Sequence, residues 1–355
     1  MPFSSNSVRL SPREWVVVAA IVLAVFCLGP RLWKTAENFE PGPDYRLPYQ
    51  LSNDYWLYKR YCQWACSQHK TLVIGDSVIW GHFVSKHNTL SGYLNKTVSR
   101  NQFTNLGVDG IHPVALAGLL KYYGGPITGK KVILHFNPLW LSSKKHDLQI
   151  TKEFHFDHPK LVPQFIPNIP CYKVPYSKKI SAIVQRYVPF FSWVSHLKIA
   201  YFESMDLSTW LVGWQPQAQL GDGLGSTDVG SSHRHPYGMT LPHSLDTQWV
   251  ALETSLQWRF FQSSVKILKA RANTVFVLVG PFNEHMLKPK SIDTYRKMKS
   301  KIEAWLKQND VPCYMPPVLP SELYRDASHP LSEGYALLAK ELFENKSFRS
   351  TILEK

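Results

Sequence analysis

Short apolar runs alternate along this chain with segments whose apolar residues stand three or four positions apart. The runs are rich in β-branched residues and too short for helices, so they predict buried strands, and the segments between them predict helices. The predicted strands are 71–74, 103–106, 131–136, 274–279 and a shorter one at 311–315. The predicted helices of the domain are 89–100, 112–123, 246–272, 292–308 and 331–343. This alternation predicts an α/β fold with a five-stranded parallel sheet.

The alternation stops for about 110 residues after the third predicted strand. Residues 140–246 are rich in Pro, His, Ser and Gly, and one apolar stretch at 180–214 predicts helices. We interpret this segment as an insertion built over the sheet, with a small subdomain as the alternative. Motifs within it, His233-Arg-His235 and Gly221-Asp-Gly-Leu-Gly225, are interpreted as solvated loops because they lack the partners that a metal or phosphate site needs.

The N-terminus carries an apolar stretch without any charge, Trp15 to Leu28. Extended to Trp33 it would span roughly 28 Å as a helix, about one hydrocarbon core, with a tryptophan at each interface. The stretch predicts a transmembrane anchor at 15–33. A cleaved signal peptide is the alternative, although Lys34-Thr35-Ala36 is a poor cleavage site.

The predicted anchor separates a short N-terminal tail from the rest of the chain. We predict a short tail (1–14), the anchor, a linker (34–53), one large domain (54–345) that contains the insertion, and a C-terminal tail (346–355). Basic residues balance on the two sides of the anchor, so the positive-inside rule does not orient it. The short N-terminal tail favours a single-pass protein whose domain lies outside the cytosol.

Composition and charge limit the classes of protein to which this chain can belong. A hydrophobic content of 44% and a charged content of 19% are typical of a folded protein. The net charge of +14 indicates attraction to phospholipid headgroups or an acidic polymer, and no nucleic-acid-binding motif accompanies it. Cys62 and Cys66 are close enough for a bridge, which would leave Cys171 to pair with Cys313, while free thiols are the alternative. We predict neither a metal nor a cofactor.

Polar residues suited to ester chemistry follow the predicted strands. Ser77 follows the first strand, Gly110 and Asn137 follow the second and third, and Asp326 and His329 follow the fifth. In open parallel sheets, ligands bind at the carboxyl ends of the strands. A serine hydroxyl becomes a nucleophile when a base takes its proton and a third group orients that base. The chain therefore carries a candidate Ser-His-Asp set at one edge of one sheet.

Four sequence blocks surround these residues: Ile74-Gly-Asp-Ser-Val78, Asn105-Leu-Gly-Val-Asp-Gly110, His135-Phe-Asn-Pro138 and Asp326-Ala-Ser-His329. Together they resemble the SGNH, or GDSL-type, hydrolase family, and the resemblance covers about residues 70–345 with the insertion between. The third block departs from the family pattern, since His135 replaces a glycine and Pro138 an aspartate.

The resemblance implies a three-layer, flavodoxin-like α/β/α fold and a role for each residue. Ser77 would be the nucleophile, His329 the base and Asp326 the group that orients it. The backbone N–H groups of Ser77 and Gly110 and the amide of Asn137 would form the oxyanion hole. Asp76 and Asp109 are interpreted as local turn and hydrogen-bonding residues.

The expected function is that of a membrane-anchored esterase acting on O-acyl groups, with an acylated glycan of the cell envelope as the expected substrate. The alternative is an O-acyltransferase that works beside a multi-spanning membrane acyltransferase. Proteins of alginate acetylation and teichoic-acid D-alanylation are similar in layout, with an anchor followed by such a domain. A second alternative is a catalytically silent glycan-binding protein.

Overall fold

The computed structural model describes residues 10–205 and 247–354. Its centre is a sheet of five strands in the order β2-β1-β3-β4-β5, and every neighbouring pair is parallel. The strands are β1 (Thr71–Ile74), β2 (Phe103–Asn105), β3 (Lys131–Phe136), β4 (Thr274–Val279) and β5 (Cys313–Tyr314). The protein thus has the predicted α/β fold with a five-stranded parallel sheet.

Helices cover both faces of this sheet. The helices of the described residues, whether or not they lie on the sheet, are α1 (Pro12–Ala36), α2 (Tyr55–Ser67), α3 (Ser77–Trp80), α4 (Leu90–Thr97), α5 (Pro113–Tyr122), α6 (Tyr176–Tyr187), α7 (Pro189–Tyr201), α8 (Leu256–Ala270), α9 (Pro289–Gln308), α10 (Ser332–Glu344) and α11 (Lys346–Phe348). Alternate strand residues point to opposite faces. On β3, Val132 and Leu134 join the core under α2, α5, α8 and α9, whereas Ile133 joins the core under α4, α10 and α11.

The helix predicted at 246–272 begins ten residues late, at Leu256, and residue 246 lies outside the described residues. A cap fixes this start. Ser255 Oγ accepts the N–H of Trp258 at 3.0 Å, and the Asp147 carboxylate accepts the N–H groups of Leu256 and Gln257 at 3.0 Å. Because Asp147 is distant in sequence, the apolar pattern alone could not place this boundary. Strand β5 is also shorter than predicted, since Pro312 has no N–H to offer the sheet.

The insertion shares the core of the domain where the structure describes it. Leu148, Leu161, Val162 and Ile169 are buried in the same cluster as the strands. The apolar stretch predicted to form helices holds α6 and α7, and its end, with the rest of 206–246, lies outside the described residues. That part includes the two motifs interpreted as loops.

The five cysteines form no disulfide. Cys62 and Cys66 stand one turn apart on α2, where Cβ atoms are about 5–6 Å from each other. A disulfide needs a separation of about 3.8 Å. The expected bridges are therefore wrong, and the alternative of free thiols holds.

Helix α1 is apolar and almost wholly uncovered. It begins with a capping box, in which Ser11 Oγ accepts the N–H of Glu14 and the Glu14 carboxylate accepts the N–H of Ser11. Its most apolar 18-residue stretch has a mean hydropathy of 2.2 and is 6% buried. Among the described residues this is the one helix long and apolar enough to cross a membrane, and a signal sequence has the same properties.

The end of α1 is joined to the domain by a polar group that we call the anchor cluster: the buried Glu37, Asp54, Arg60 and His196, and the partly exposed Tyr201. Glu37 Oε2 accepts from Arg60, and Glu37 Oε1 lies 2.8 Å from His196 Nε2 and 2.6 Å from the Tyr201 hydroxyl. His196 Nδ1 lies 2.6 Å from the Asp54 carboxylate.

The segment predicted as a linker, 34–53, is packed. Tyr45, Leu47 and Leu51 within it are buried. The predicted C-terminal tail is packed as well over its described part, with Phe348 and Ile352 fully buried. Both segments are thus integral to the folded domain.

Candidate active site

The loop that carries Asp326 and His329 is held in shape by its own backbone. The Arg325 N–H donates to the His329 carbonyl at 2.8 Å, and the Leu331 N–H donates to the Leu323 carbonyl at 2.7 Å. Asp326 Oδ1 accepts the N–H groups of Ser328 and His329, each at 2.9 Å. The Asp-x-x-His spacing thus closes a turn that directs the carboxylate toward the imidazole.

Ser77 is the first residue of α3, directly beyond the end of β1. Asp76 caps this short helix by accepting the Val78 N–H at 3.0 Å. Ser77 Oγ lies 2.8 Å from His329 Nε2, and His329 Nδ1 lies 2.7 and 2.9 Å from the two Asp326 oxygens. The structure therefore brings the three predicted residues into one continuous hydrogen-bonded chain.

The electrostatics of this chain suit proton transfer. Burial raises the pKa of Asp326, but the hydrogen bond and charge of His329 outweigh burial and lower this pKa to about 2. Burial lowers the pKa of His329, but the hydrogen bond and charge of Asp326 outweigh it and raise the pKa above its ordinary value. Since Nδ1 faces a carboxylate, it holds the proton, and the neutral ring offers Nε2 to Ser77.

Two glycines allow the backbone around Ser77 to pack closely. A Cβ atom at Gly107 would lie 2.4 Å from the Trp80 backbone nitrogen, so the chain after β2 rests directly on α3. A Cβ atom at Gly75 would lie 2.5 Å from Ile79 Cγ1 and 2.7 Å from His135 Cβ. The second contact shows that His135 fills the space behind the turn that follows β1.

The two further predicted oxyanion residues lie in different surroundings. Gly110 has a φ of +70°, a conformation that favours glycine, and a Cβ atom there would lie 2.9 Å from an Asp157 carboxylate oxygen. Asn137 is buried, and its Nδ2 donates to Asp76 Oδ2 at 2.9 Å while its Oδ1 accepts the Leu139 N–H at 3.0 Å. One of the two amide hydrogens of Asn137 is thus engaged by Asp76.

Asp76 has a larger part than the sequence indicates. It is buried together with His135 and Asn137, and the half-buried Trp140 adjoins them. We call these four residues the Asp76 cluster. Besides Asn137, Trp140 Nε1 donates to Asp76 Oδ2 at 3.0 Å, and His135 Nδ1 lies 3.2 Å from Oδ1. Burial raises the pKa of Asp76, but the charge of His135 and the hydrogen bonds from its neighbours outweigh it and lower the pKa. The carboxylate of the residue that precedes the candidate nucleophile is therefore held ionised.

A second histidine borders the site. His82 Nδ1 lies 2.7 Å from Asp109 Oδ1, and the ring centroids of His82 and His329 are 5.4 Å apart. The neighbouring Phe83 is half-exposed, with its ring 5.6 Å from that of His329. Sequence reasoning missed His82, and it took Asp109 for a local turn residue. Only the fold brings these two positions together, 27 residues apart, so no local signal could have identified the pair.

Within residues 10–205 and 247–354, no group of three or more His, Cys, Asp or Glu residues could hold a metal ion. The arrangement offers a hydroxyl, a base and buried hydrogen-bond donors. These groups can perform nucleophilic acyl chemistry on their own.

No protein-family model matches the chain, and neither does any curated protein. Among solved structures, the chain is similar to a protein from Desulfitobacterium hafniense DCB-2 that is described as lipolytic and of the G-D-S-L family. The TM-score is 0.35 and the sequence identity 11%, over 77% of this chain and 96% of the other. At that TM-score the likeness says nothing about chemistry.

Proposed function

We propose that this protein is an SGNH-type serine esterase that cleaves carboxyl esters through an acyl-enzyme. The observation that carries the proposal is the chain of hydrogen bonds from Ser77 through His329 to Asp326. Its residues follow β1 and β5, at the edge of the sheet where ligands of open α/β folds bind. The four sequence blocks that resemble the family support the same conclusion.

In this mechanism His329 Nε2 takes the Ser77 proton as Oγ attacks the ester carbonyl. The oxyanion of the tetrahedral intermediate accepts hydrogen bonds from the N–H groups of Ser77 and Gly110 and from the second amide hydrogen of Asn137. Each such donor contributes about 3 kcal/mol in comparable sites. His329 then returns the proton to the leaving alcohol, and water releases the acid from Ser77 by the reverse sequence.

Helix α1 supports a position at a membrane, and we propose that the domain lies outside the cytosol. Its 25 residues would extend about 38 Å, enough to cross a hydrocarbon core. The net charge of +14 would attract anionic headgroups or an acidic polymer. The substrate class that fits an anchored esterase of this charge is an O-acylated glycan of the cell envelope.

A fluorophosphonate probe tests the proposal on the full chain. We expect it to label the protein, and Ser77→Ala to abolish both labelling and ester hydrolysis. Ser67→Ala, at an exposed serine of α2, is the matched control and should leave both unchanged. If the unaltered protein is never labelled, the silent glycan-binding alternative replaces the enzyme.

The His82–Asp109 pair favours acyl transfer as a second candidate. An imidazole so close to His329 could orient a sugar hydroxyl in place of water, and a multi-spanning acyltransferase would then supply the acyl group. Incubation with an acetyl ester and a glycan acceptor separates the two reactions. Acylated glycan supports transfer, whereas release of acetate alone supports hydrolysis.

A further inference from the structure

Helix α7 of the insertion lies along the C-terminal half of α1, which would be its outer half if the domain lies outside the cytosol. The rings of Phe26 and Phe190 stack with centroids 4.6 Å apart, and Phe191 meets Phe26 edge-on at 5.9 Å. Near the other end of both helices, the rings of Trp33 and Tyr201 are 5.6 Å apart. The two helices therefore run in the same direction, and α7 begins beside Phe26, within the apolar stretch of α1.

The depth of this contact follows from helix geometry. Phe26 precedes Trp33 by seven residues, which is about 10 Å along a helix axis. If Trp33 lies at the membrane interface, as tryptophan commonly does, then the start of α7 lies about 10 Å inside the apolar layer. Gly29 allows this close approach, because a Cβ atom there would be 3.1 Å from the Trp193 ring.

The exposed face of α7 has the composition of a surface that enters lipid. Phe191, Val194, Lys198 and Tyr201 are exposed at spacings of three, four and three residues, so they share one face of the helix. Phe191 is 43% exposed and Val194 is 40% exposed, and both lie toward the deep end. Lys198 lies toward the interface, where a lysine can reach headgroups.

The backbone at the junction of α6 and α7 suits a medium without water. The Val188 N–H donates to the Val184 carbonyl at 2.9 Å, and the Phe191 N–H donates to the Val188 carbonyl at 3.1 Å. Pro189 has no N–H to satisfy. Unpaired backbone groups are costly in hydrocarbon, and these positions avoid that cost.

We propose that the first half of α7, with the exposed Tyr187 before it, inserts into the leaflet that holds the outer half of α1. The occupant of this apolar face is lipid, with anionic headgroups around Lys198. Lipid is the occupant because this face of α7 is continuous with the uncovered apolar surface of α1. The positive charge of the chain favours anionic headgroups. This inference rests on the membrane anchor of the proposed function and is independent of the chemistry at Ser77.

Spin labels on the full chain in nanodiscs of zwitterionic and anionic lipid test the insertion. Cys66 and Cys313 are replaced by alanine, the buried Cys62 and Cys171 are kept, and one label is placed at a time. The positions are native Cys27 on α1 and, in a Cys27→Ser background, Phe191→Cys, Val194→Cys and Asp293→Cys. Asp293, whose side chain is 79% exposed on α9, is the aqueous control.

We expect the labels at 191 and 194 to lose collisions with a water-soluble nickel complex and to gain collisions with oxygen, as the label at Cys27 does. The label at 293 should keep its nickel collisions. Nickel access at 191 and 194 equal to that at 293, with Cys27 still protected, would overturn the insertion and leave the anchor intact. Nickel access at Cys27 would overturn both. Protection from nickel and oxygen together, with spin–spin broadening, would mean that a second copy covers this face instead of lipid.

Discussion

The substitution Asp76→Asn tests whether the Asp76 cluster supports the candidate nucleophile. The aspartate accepts from Val78 N–H and faces His135 Nδ1 with one oxygen, and it accepts from Asn137 and Trp140 with the other. An asparagine offers one oxygen and one NH₂ group. In either orientation of the asparagine amide, its NH₂ group faces at least one N–H donor that the aspartate had accepted from, and that donor loses its acceptor.

The expected cost follows from that count. A buried donor that loses its acceptor costs about 1–3 kcal/mol, so one or two such donors cost about 1–6 kcal/mol of unfolding free energy. The same change releases either the Val78 N–H at the start of α3 or the Asn137 amide. A displacement of about 1 Å at a catalytic group lowers the rate roughly 100-fold. We therefore expect Asp76→Asn to lower both the melting temperature and the rate of ester hydrolysis.

The measurement is thermal unfolding and ester hydrolysis of the full chain in detergent. Asp293→Asn is the matched control, because its exposed carboxylate lies 3.9 Å from Arg296 in a surface pair. Such a change should stay within about 0.5 kcal/mol. If Asp76→Asn unfolded and hydrolysed like the control, the cluster would contribute neither stability nor orientation, and the reasoning would be refuted.

Three further predictions concern the pH profile, the packing of α3 and the thiols. Because His329 acts as a base only when neutral and Asp326 raises its pKa above the ordinary histidine value, hydrolysis should fall as the pH drops through that raised pKa. Asp326→Asn should move this limb of the pH profile to lower pH and reduce the plateau rate on the order of 10³–10⁴-fold, and an unmoved limb would contradict the pairing. Gly107→Ala should lower rate and melting temperature, since its methyl group would meet Trp80 N at 2.4 Å, whereas Gly42→Ala, with nothing within 4 Å, should change neither. A reductant should leave the melting temperature unchanged because no cysteine is paired, and a clear fall would reveal a disulfide.

Strands were the part of the fold most accessible from sequence. The predicted runs 71–74, 131–136 and 274–279 coincide with β1, β3 and β4. Strands buried on both faces must be apolar throughout, so a single local property marks them. The meeting of Ser77 with His329 could be predicted because each follows a strand, and parallel strands end at one edge. Their catalytic roles stay predictions.

Features that depend on distant partners could not be predicted. Asp76 reads as a turn residue because its partners His135, Asn137 and Trp140 are about sixty positions away. The start of α8 depends on Asp147, which belongs to another part of the chain. The contact between α1 and α7 joins two segments that are each merely apolar in sequence. In every case the deciding interaction is tertiary.

The anchor cluster has a consequence for how the protein would meet its substrates. A flexible tether lets a domain sweep through a volume above the membrane. The bonds of Glu37 with Arg60, His196 and Tyr201 instead fix the end of α1 to the folded domain. If α1 spans a membrane, Ser77 moves with it at a fixed height and keeps one orientation toward the surface. Such an enzyme would select esters by their distance from the bilayer as well as by their chemistry.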